Sequence, residues 1–261
     1  MLPFGSCAQE EAIKNEYNLK EPIIMELEKD LDEISGITFL NGELYAISDD
    51  KGSIFQLDPG TGKITNSWEF STTKDFEGLA AFDGKFYVLE SNGNITKAEI
   101  INNKIITEEY EFNLVNGEFE IFYFDDKQNR FVMICKECED DGKSSVSAFT
   151  FDPQTNSFEK AGFSVSADEV HALGNVKKDR IKASGGVKHP SSGEVYIVSS
   201  INRFLLVKSQ DAKPLRVYSL DKKLFEQPEG ITFNSNGDLF ISNEKGGKKS
   251  ATLLFFKRDG N

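Results

Sequence analysis

The sequence predicts an all-β chain folded as a five-bladed β-propeller, and three observations predict it. A phrase made of an acidic or seryl residue, a small residue, a short apolar run, a turn and a second apolar run returns five times. The residues that open the copies, Ser35, Glu77, Glu120, Ser184 and Glu229, are spaced by 42, 43, 64 and 45 positions. A period near that length, with four short strands per unit, marks a propeller. The second apolar run of each copy (44–48, 86–90, 131–135, 195–199 and 239–242) has almost no polar alternation. A strand buried on both faces reads that way, and a blade between two neighbours buries both of its faces.

Taken in order, the chain first offers an apolar strand at 23–27 with no partner nearby. Copy one gives strands at 36–40, 43–48, 53–57 and 63–70. Its turns are Asn41-Gly42 and Asp58-Pro59-Gly60-Thr61-Gly62, both hairpin-forming sequences. Copy two repeats the layout at 78–82, 85–90, 95–100 and 104–112, and copy three at 121–125, 130–135, 144–151 and 157–163. A longer connection, 164–183, carries one or two helical turns around Asp168-Glu169-Val170-His171-Ala172-Leu173 and then a lysine-rich loop. Copy four has strands at 185–189, 194–199, 203–207 and 215–220. Copy five has only three, at 230–234, 238–242 and 252–257. The strand at 23–27 is expected to supply the missing outer strand and close the ring, which also covers an exposed edge. A six-bladed alternative would hide a degenerate blade in the 164–183 connection, a length too short for four strands.

The 261 residues suffice for one domain with a sizeable core, taken as residues 21–261 behind an N-terminal segment, 1–20. Asp plus Glu number 43 against 30 for Lys plus Arg, a formal charge of −13, which disfavours a nucleic-acid partner, so none is expected. No apolar run approaches the roughly 20 residues of a membrane-spanning helix. Twenty-two Phe and seven Tyr beside one Trp suit a β core.

The N-terminus, Met1-Leu2-Pro3-Phe4-Gly5-Ser6-Cys7, looks like the end of a bacterial lipoprotein signal, with Cys7 as the lipidated residue and Phe4 as an unusual occupant before it. The charged and apolar part of such a signal is expected upstream of the sequence in hand. Residues 8–20 then read as a polar tether. The expected location is outside the cytoplasm, in the periplasm or on the outer membrane, held to the envelope through that lipid only.

In a propeller the loop entering each inner strand and the loop after each second strand open on one face. This gathers Ser35, Glu77, Glu120, Ser184 and Glu229 around one mouth of the channel, joined by Asp49, Asp50, Glu90, Ser200, Asn243 and Glu244. Glu33, Asp75 and Glu118 stand two residues upstream of ring positions. Converging carboxylates must be protonated, solvated or neutralised by a cation. Oxygen ligands without clustered His or Cys favour a hard ion, Ca2+ or Mg2+, with Glu77, Glu120 and Glu229 as candidate ligands. The competing reading is that each recurring Glu caps backbone amides of a neighbouring blade. Cys135-Lys136-Glu137-Cys138 reads as a thiol pair or a local disulfide, since the two further ligands of a zinc site are missing. His189, before Pro190, belongs to a turn on the face opposite the acidic mouth. No nucleophile elbow, Walker loop or dinucleotide fingerprint occurs.

Several phrases resemble the SdiA-regulated (YjiK-like) family of bacterial propeller proteins. They are Glu33-Ile34-Ser35-Gly36-Ile37, Tyr45-Ala46-Ile47-Ser48-Asp49-Asp50, Phe76-Glu77-Gly78-Leu79-Ala80, Gln227-Pro228-Glu229-Gly230-Ile231 and 236–244, with the His189-Pro190 turn. The resemblance covers about residues 22–257 and departs from the family pattern at Ile121, where the family tends to show Gly, and at Gly186, where it tends to show an apolar residue. It implies a propeller, usually outside the cytoplasm and often membrane-anchored, and it implies no established chemistry. Two functions are carried forward. The first is a monomeric module binding a small-molecule or protein ligand at the acidic mouth, with a Ca2+ site there. The second, by analogy of fold with propeller phytases and lactonases, is a metal-dependent hydrolase using Glu77, Glu120 or Glu229.

Overall fold

Asn41-Gly42 and Asp83-Gly84 take positive φ at both positions, as does Asn102-Asn103, so each forms the tight turn whose twist matches two antiparallel strands. Asp58 and Asp152 fold the longer turns of blades one and three by the same device. Asp58 Oδ1 accepts from Gly60 N and Thr61 Oγ1, and Asp152 Oδ1 from Gln154 N and Thr155 N.

These turns connect the strands of a computed structural model that describes residues 16–72, 75–142, 144–174, 181–209 and 212–259. Among them are five four-stranded antiparallel sheets. Blade one is β2 (Ile34–Leu40), β3 (Glu43–Ser48), β4 (Lys51–Leu57) and β5 (Ile64–Glu69). Blade two is β6 (Phe76–Phe82), β7 (Lys85–Glu90), β8 (Ile95–Ile101) and β9 (Lys104–Tyr110). Blade three is β10 (Gly117–Asp125), β11 (Arg130–Cys138), β12 (Ser145–Asp152) and β13 (Ser157–Ser166). Blade four is β14 (Gly185–Lys188), β15 (Val195–Ser199), β16 (Phe204–Lys208) and β17 (Pro214–Ser219). Blade five is β18 (Pro228–Phe233), β19 (Leu239–Asn243) and β20 (Thr252–Phe256), completed by β1 (Ile23–Glu26). The register of that closing pair runs from Ile23 opposite Phe255 to Glu26 opposite Thr252. The 164–183 connection adds no blade: it holds the end of β13 and a short helix, α1 (Ala167–Leu173), capped by Ser166. Its residues 175–180 lie outside those described.

Five apolar clusters hold the blades together, one at each seam. The second strands feed two clusters at once. Val132 and Ile134 face blade four while Phe131, Met133 and Cys135 face blade two, so the continuous apolar run is a direct consequence of being covered on both sides. The seam between blades two and three is the most aromatic, with Phe82 stacked on Phe124 at 4.0 Å and Tyr87 against Phe131 at 4.2 Å.

Around the axis the inner strands approach too closely for a side chain at every position. A Cβ on Gly36 would lie 2.8 Å from Leu79 N, and one on Gly78 would lie 2.6 Å from Phe122 Cβ. The two departures from the family pattern are one compensated exchange. Ile121 stands where the neighbouring blades have Gly, and its Cγ2 lies 2.6 Å from the point a Cβ of Gly186 would occupy. The bulk has moved from one side of the seam to the other.

The N-terminal segment differs from the expected tether. Tyr17 is fully buried in the seam between blades four and five, on the face opposite the acidic mouth. Its hydroxyl donates to Gly237 O at 2.6 Å and meets His189 Nε2 at 3.1 Å. His189 Nδ1 accepts from Ser191 N and Ser192 N, so Nε2 carries the proton and Tyr17 Oη accepts it. Burying a side chain of this kind is worth roughly 1.5–3 kcal/mol. Cys7 lies outside the described residues.

Two outcomes follow from this packing. Gly186→Val is expected to destabilise the fold by about 1–3 kcal/mol through overpacking, and combining it with Ile121→Gly is expected to recover part of that loss. Thermal melts of both single variants and the double variant measure the coupling, and simple additivity would contradict the compensated seam. Burial, with Arg258 nearby, holds His189 below its ordinary value of 6.5. Its contribution to stability is therefore present above pH 6.5 and lost as pH falls below it. An NMR titration of the imidazole should place its midpoint below 6.5, and a midpoint above that value would contradict the buried contact of His189 with Tyr17.

Candidate functional site

Four of the five blades begin with a residue displaced from the regular ladder, and blade four pairs without a break from Gly185 onward. In blade one Ile34 pairs with Ser48 and Gly36 with Ile47, which leaves Ser35 as an extra residue. Glu77 is skipped in the same way between Phe76–Glu90 and Gly78–Leu89, and Glu120 between Phe119–Cys135 and Ile121–Ile134. Blade five breaks register between Pro228 and Ile231, which brackets Glu229. A bulge turns the extra side chain away from the alternation of its strand. Four of the five ring residues recognised in the sequence are thus bulges, and the fifth, Ser184, stands just before its strand.

A chain of backbone bonds ties the same face together across blades. Asp49 N donates to Glu33 O, Asp75 N to Asp49 O at 2.7 Å, Ser91 N to Asp75 O and Phe119 N to Ser91 O. Asp75 takes a φ of 83°, a left-handed conformation uncommon for a residue with a side chain. Between blades five and one, Lys245 N donates to Asp32 O and Lys245 Nζ pairs with Asp32 at 2.9 Å.

On this frame the residues of the mouth divide into three groups. Glu77, Glu120, Glu229 and Glu244 interact across the mouth. Burial is the largest influence on each. With Glu120 and Asp75 adding to it, burial pushes the Glu77 carboxyl up to about 8. Burial with Glu33 and Asp49 does the same for Glu244, also to about 8. Burial with Glu244, Glu120 and Glu77 raises Glu229 well above the carboxylate range, opposed by a hydrogen bond from Ser200. Glu120 is raised by burial and held back by an ion pair with Lys136, whose ammonium also lies 3.9 Å from Glu118.

A second group overlaps the first: the carboxylate oxygens of Glu33, Asp49 and Glu244 come within 4.8 Å of one another. Beside Asp49, Asp50 accepts from Ser48 Oγ at 2.7 Å. The third group serves the frame. Ser184 Oγ donates to Pro228 O at 2.6 Å and accepts from Ser200 N, joining blades four and five. Asn243 Nδ2 bonds Leu224 O and Thr252 Oγ1. Glu90 accepts from Asn92 and is raised chiefly by burial, with Glu109 and Asp75 as its acidic neighbours. Ser35 is 3% exposed, and its Oγ finds no hydrogen-bond partner among the described residues. Gln227, whose amide donates to Glu244, is a mouth residue that the repeat pattern does not single out. Cys135 and Cys138 are joined in a disulfide, which removes them as metal ligands.

The molecule is therefore a closed propeller that concentrates carboxyl groups at one channel mouth, while the channel itself holds a cavity of about 220 Å3 lined by segments such as 37–39 and 122–124. The family model described as SdiA-regulated matches residues 10–246, and the chain belongs to that family. No curated protein matches the sequence. Solved structures share the architecture at low identity. Glutaminyl cyclase of Myxococcus xanthus aligns with a TM-score of 0.64 at 14% identity, over 92% of this chain and 96% of that one. The PQQ-bound aldose sugar dehydrogenase of Streptomyces coelicolor aligns with a TM-score of 0.55 at 12% identity, over 91% and 98%. A streptogramin B lyase aligns at 0.50 and 11% identity, over 93% and 98%. At these identities the likeness concerns the fold.

The mouth makes stability depend on pH. Glu77 and Glu244 bind protons more tightly folded than unfolded, so their contribution is greatest below pH 4.5 and is lost as pH rises toward 8. Melting temperature without divalent cations should fall across that window. Glu77→Gln and Glu244→Gln should each flatten the fall and raise the melting temperature at pH 8. A profile that neither variant changes would contradict the assignment.

Proposed function

We propose that this SdiA-regulated propeller is a binding module that receives its ligand at the acidic mouth, with a Ca2+ or Mg2+ ion as part of the site. The observation that carries the reading is the approach of Glu33, Asp49 and Glu244 to within 4.8 Å at the rim of a mouth whose deeper carboxyls, Glu77, Glu120 and Glu229, all resist ionisation. Such a set is relieved either by protons or by a cation, and an all-oxygen donor set selects a hard one. The buried, unpartnered Ser35 Oγ supplies a further oxygen near the entry of the inner strand. The ligand beyond the ion, small molecule or protein, would be met by the loops around this rim, on a frame fixed by the blade-to-blade hydrogen bonds.

Anchoring through a lipid on Cys7, and with it an extracytoplasmic location, is part of the same reading. Its support is the Gly5-Ser6-Cys7 sequence and the position of Tyr17. The first described residues, Glu16 and Tyr17, lie on the face opposite the mouth, so an anchor upstream of them would present the mouth away from the membrane.

A second reading, a metal-dependent hydrolase, is favoured by one observation. A carboxyl still protonated near neutral pH, as Glu77 is, suits a general acid.

Adding Ca2+ should raise the melting temperature by a few degrees, more at pH 8 than at pH 5 because protons compete for the same oxygens. Asp49→Asn and Glu244→Gln should each weaken the effect. The absence of any rise at millimolar Ca2+ would count strongly against the site. Turnover of phosphomonoesters, lactones or aryl esters that requires Ca2+ and disappears in Glu77→Gln would replace the binding reading with the hydrolase.

A further inference from the structure

Among the carboxyls of the mouth stands a cation of the protein's own. Lys136 Nζ is ion-paired with Glu120, whose side chain is only 11% exposed, and lies 3.9 Å from Glu118. Lys136 reaches that place because the ladder skips it. Glu118 pairs with Glu137 and Phe119 with Cys135, so Lys136 is an extra residue on β11, as Glu120 is on β10. The two displaced residues flank the same cross-strand pair and meet on the mouth side.

The cysteines bracket this displacement. Pairing of β11 with β12 ends at Ile134 opposite Ala148, so beyond it the strand is laddered on one side only. There the Cys135–Cys138 disulfide closes a short loop around Lys136 and Glu137. The Asp141 carboxylate pins its far end, accepting from Cys138 N at 2.8 Å and from Ser147 N at 2.7 Å. Opposite the bridge stands Gly117, where a Cβ would lie 2.5 Å from Cys138 Sγ.

We propose that the Cys135–Cys138 disulfide is a positioning device that holds Lys136 in the mouth as a tethered counter-ion, whose positive charge opposes an incoming divalent cation. The inference rests on the cation-binding reading of the mouth and adds a sign to it. Removing the positive charge of Lys136 strengthens cation binding, although a polar residue is lost from the site. Opening the disulfide acts in the same direction, because the ammonium is then free to leave Glu120. A dithiol reductant opens it in a two-electron step that forms thiols at Cys135 and Cys138 and leaves the dithiol as its own disulfide.

Calorimetric titration with CaCl2 tests this on the full chain. Lys136→Met is expected to bind Ca2+ about ten-fold more tightly than the parent, the scale of a coupling between neighbouring charges in a partly buried site. Lys136→Arg keeps the charge and should bind like the parent. Cys135→Ala with Cys138→Ala, or reduction of the parent chain by the dithiol, should tighten binding, and that gain should vanish in the Lys136→Met background. A bridge that merely stabilised the hairpin would not show this dependence on Lys136. Binding by the parent with an unchanged dissociation constant in Lys136→Met would overturn the proposal and leave the cation site standing. No binding by either chain would overturn both.

Discussion

Five inner strands can surround one axis only if the side chains at their closest approach are nearly absent. That steric limit sets most of what is distinctive here. It places Gly36 against Leu79 and Gly78 against Phe122, and it converts Ile121 and Gly186 into a matched pair. Just before each closest approach the strand carries a residue that the ladder skips, or in blade four enters on a serine bonded to the next blade. Packing at the axis and display at the mouth are consequences of the same few positions.

The two faces of the ring have different tasks. On one, hydrogen bonds pass from Glu33 through Asp49, Asp75 and Ser91 to Phe119 and fix the height and spacing of the acidic residues. On the other, Tyr17, His189 and Gly237 seat the entering chain, Lys188 pairs with Asp125 at 2.6 Å, and Asp259 N bonds Glu16 O beside the exit. Both ends of the described chain therefore meet on the face opposite the acidic mouth. Closure by β1 depends on this arrangement, because the strand must start from that side to run antiparallel to β20.

Crowding carboxyl groups in a half-buried space destabilises their charged forms. The mouth relieves this in three ways. Protons remain on Glu77 and Glu244 to higher pH, Lys136 neutralises Glu120, and amide or hydroxyl donors from Gln227 and Ser200 reach Glu244 and Glu229. A bound cation would compete with the first two devices, so affinity there reflects a balance with the site's own protons and its own lysine.

The blade count, the closing strand and the family were legible in the sequence. Repeat spacing and two-sided burial are properties of local segments and survive without coordinates. The disulfide was legible only as one of two alternatives for Cys135 and Cys138. The helical turns at Asp168 are legible too, whereas buried Tyr17 is not, because a lone aromatic in a polar segment carries no periodic signal. What only the tertiary structure decided is which acidic residues share a space. Ser184 and Asn243 stand at ring and loop positions like the others, yet their hydrogen bonds go to the frame. Lys136 reaches the centre through paired bulges, and Gln227 joins Glu244 across a strand pair. Bulges and seam contacts depend on the register between strands and on the width of the axis, and no single stretch of sequence encodes either.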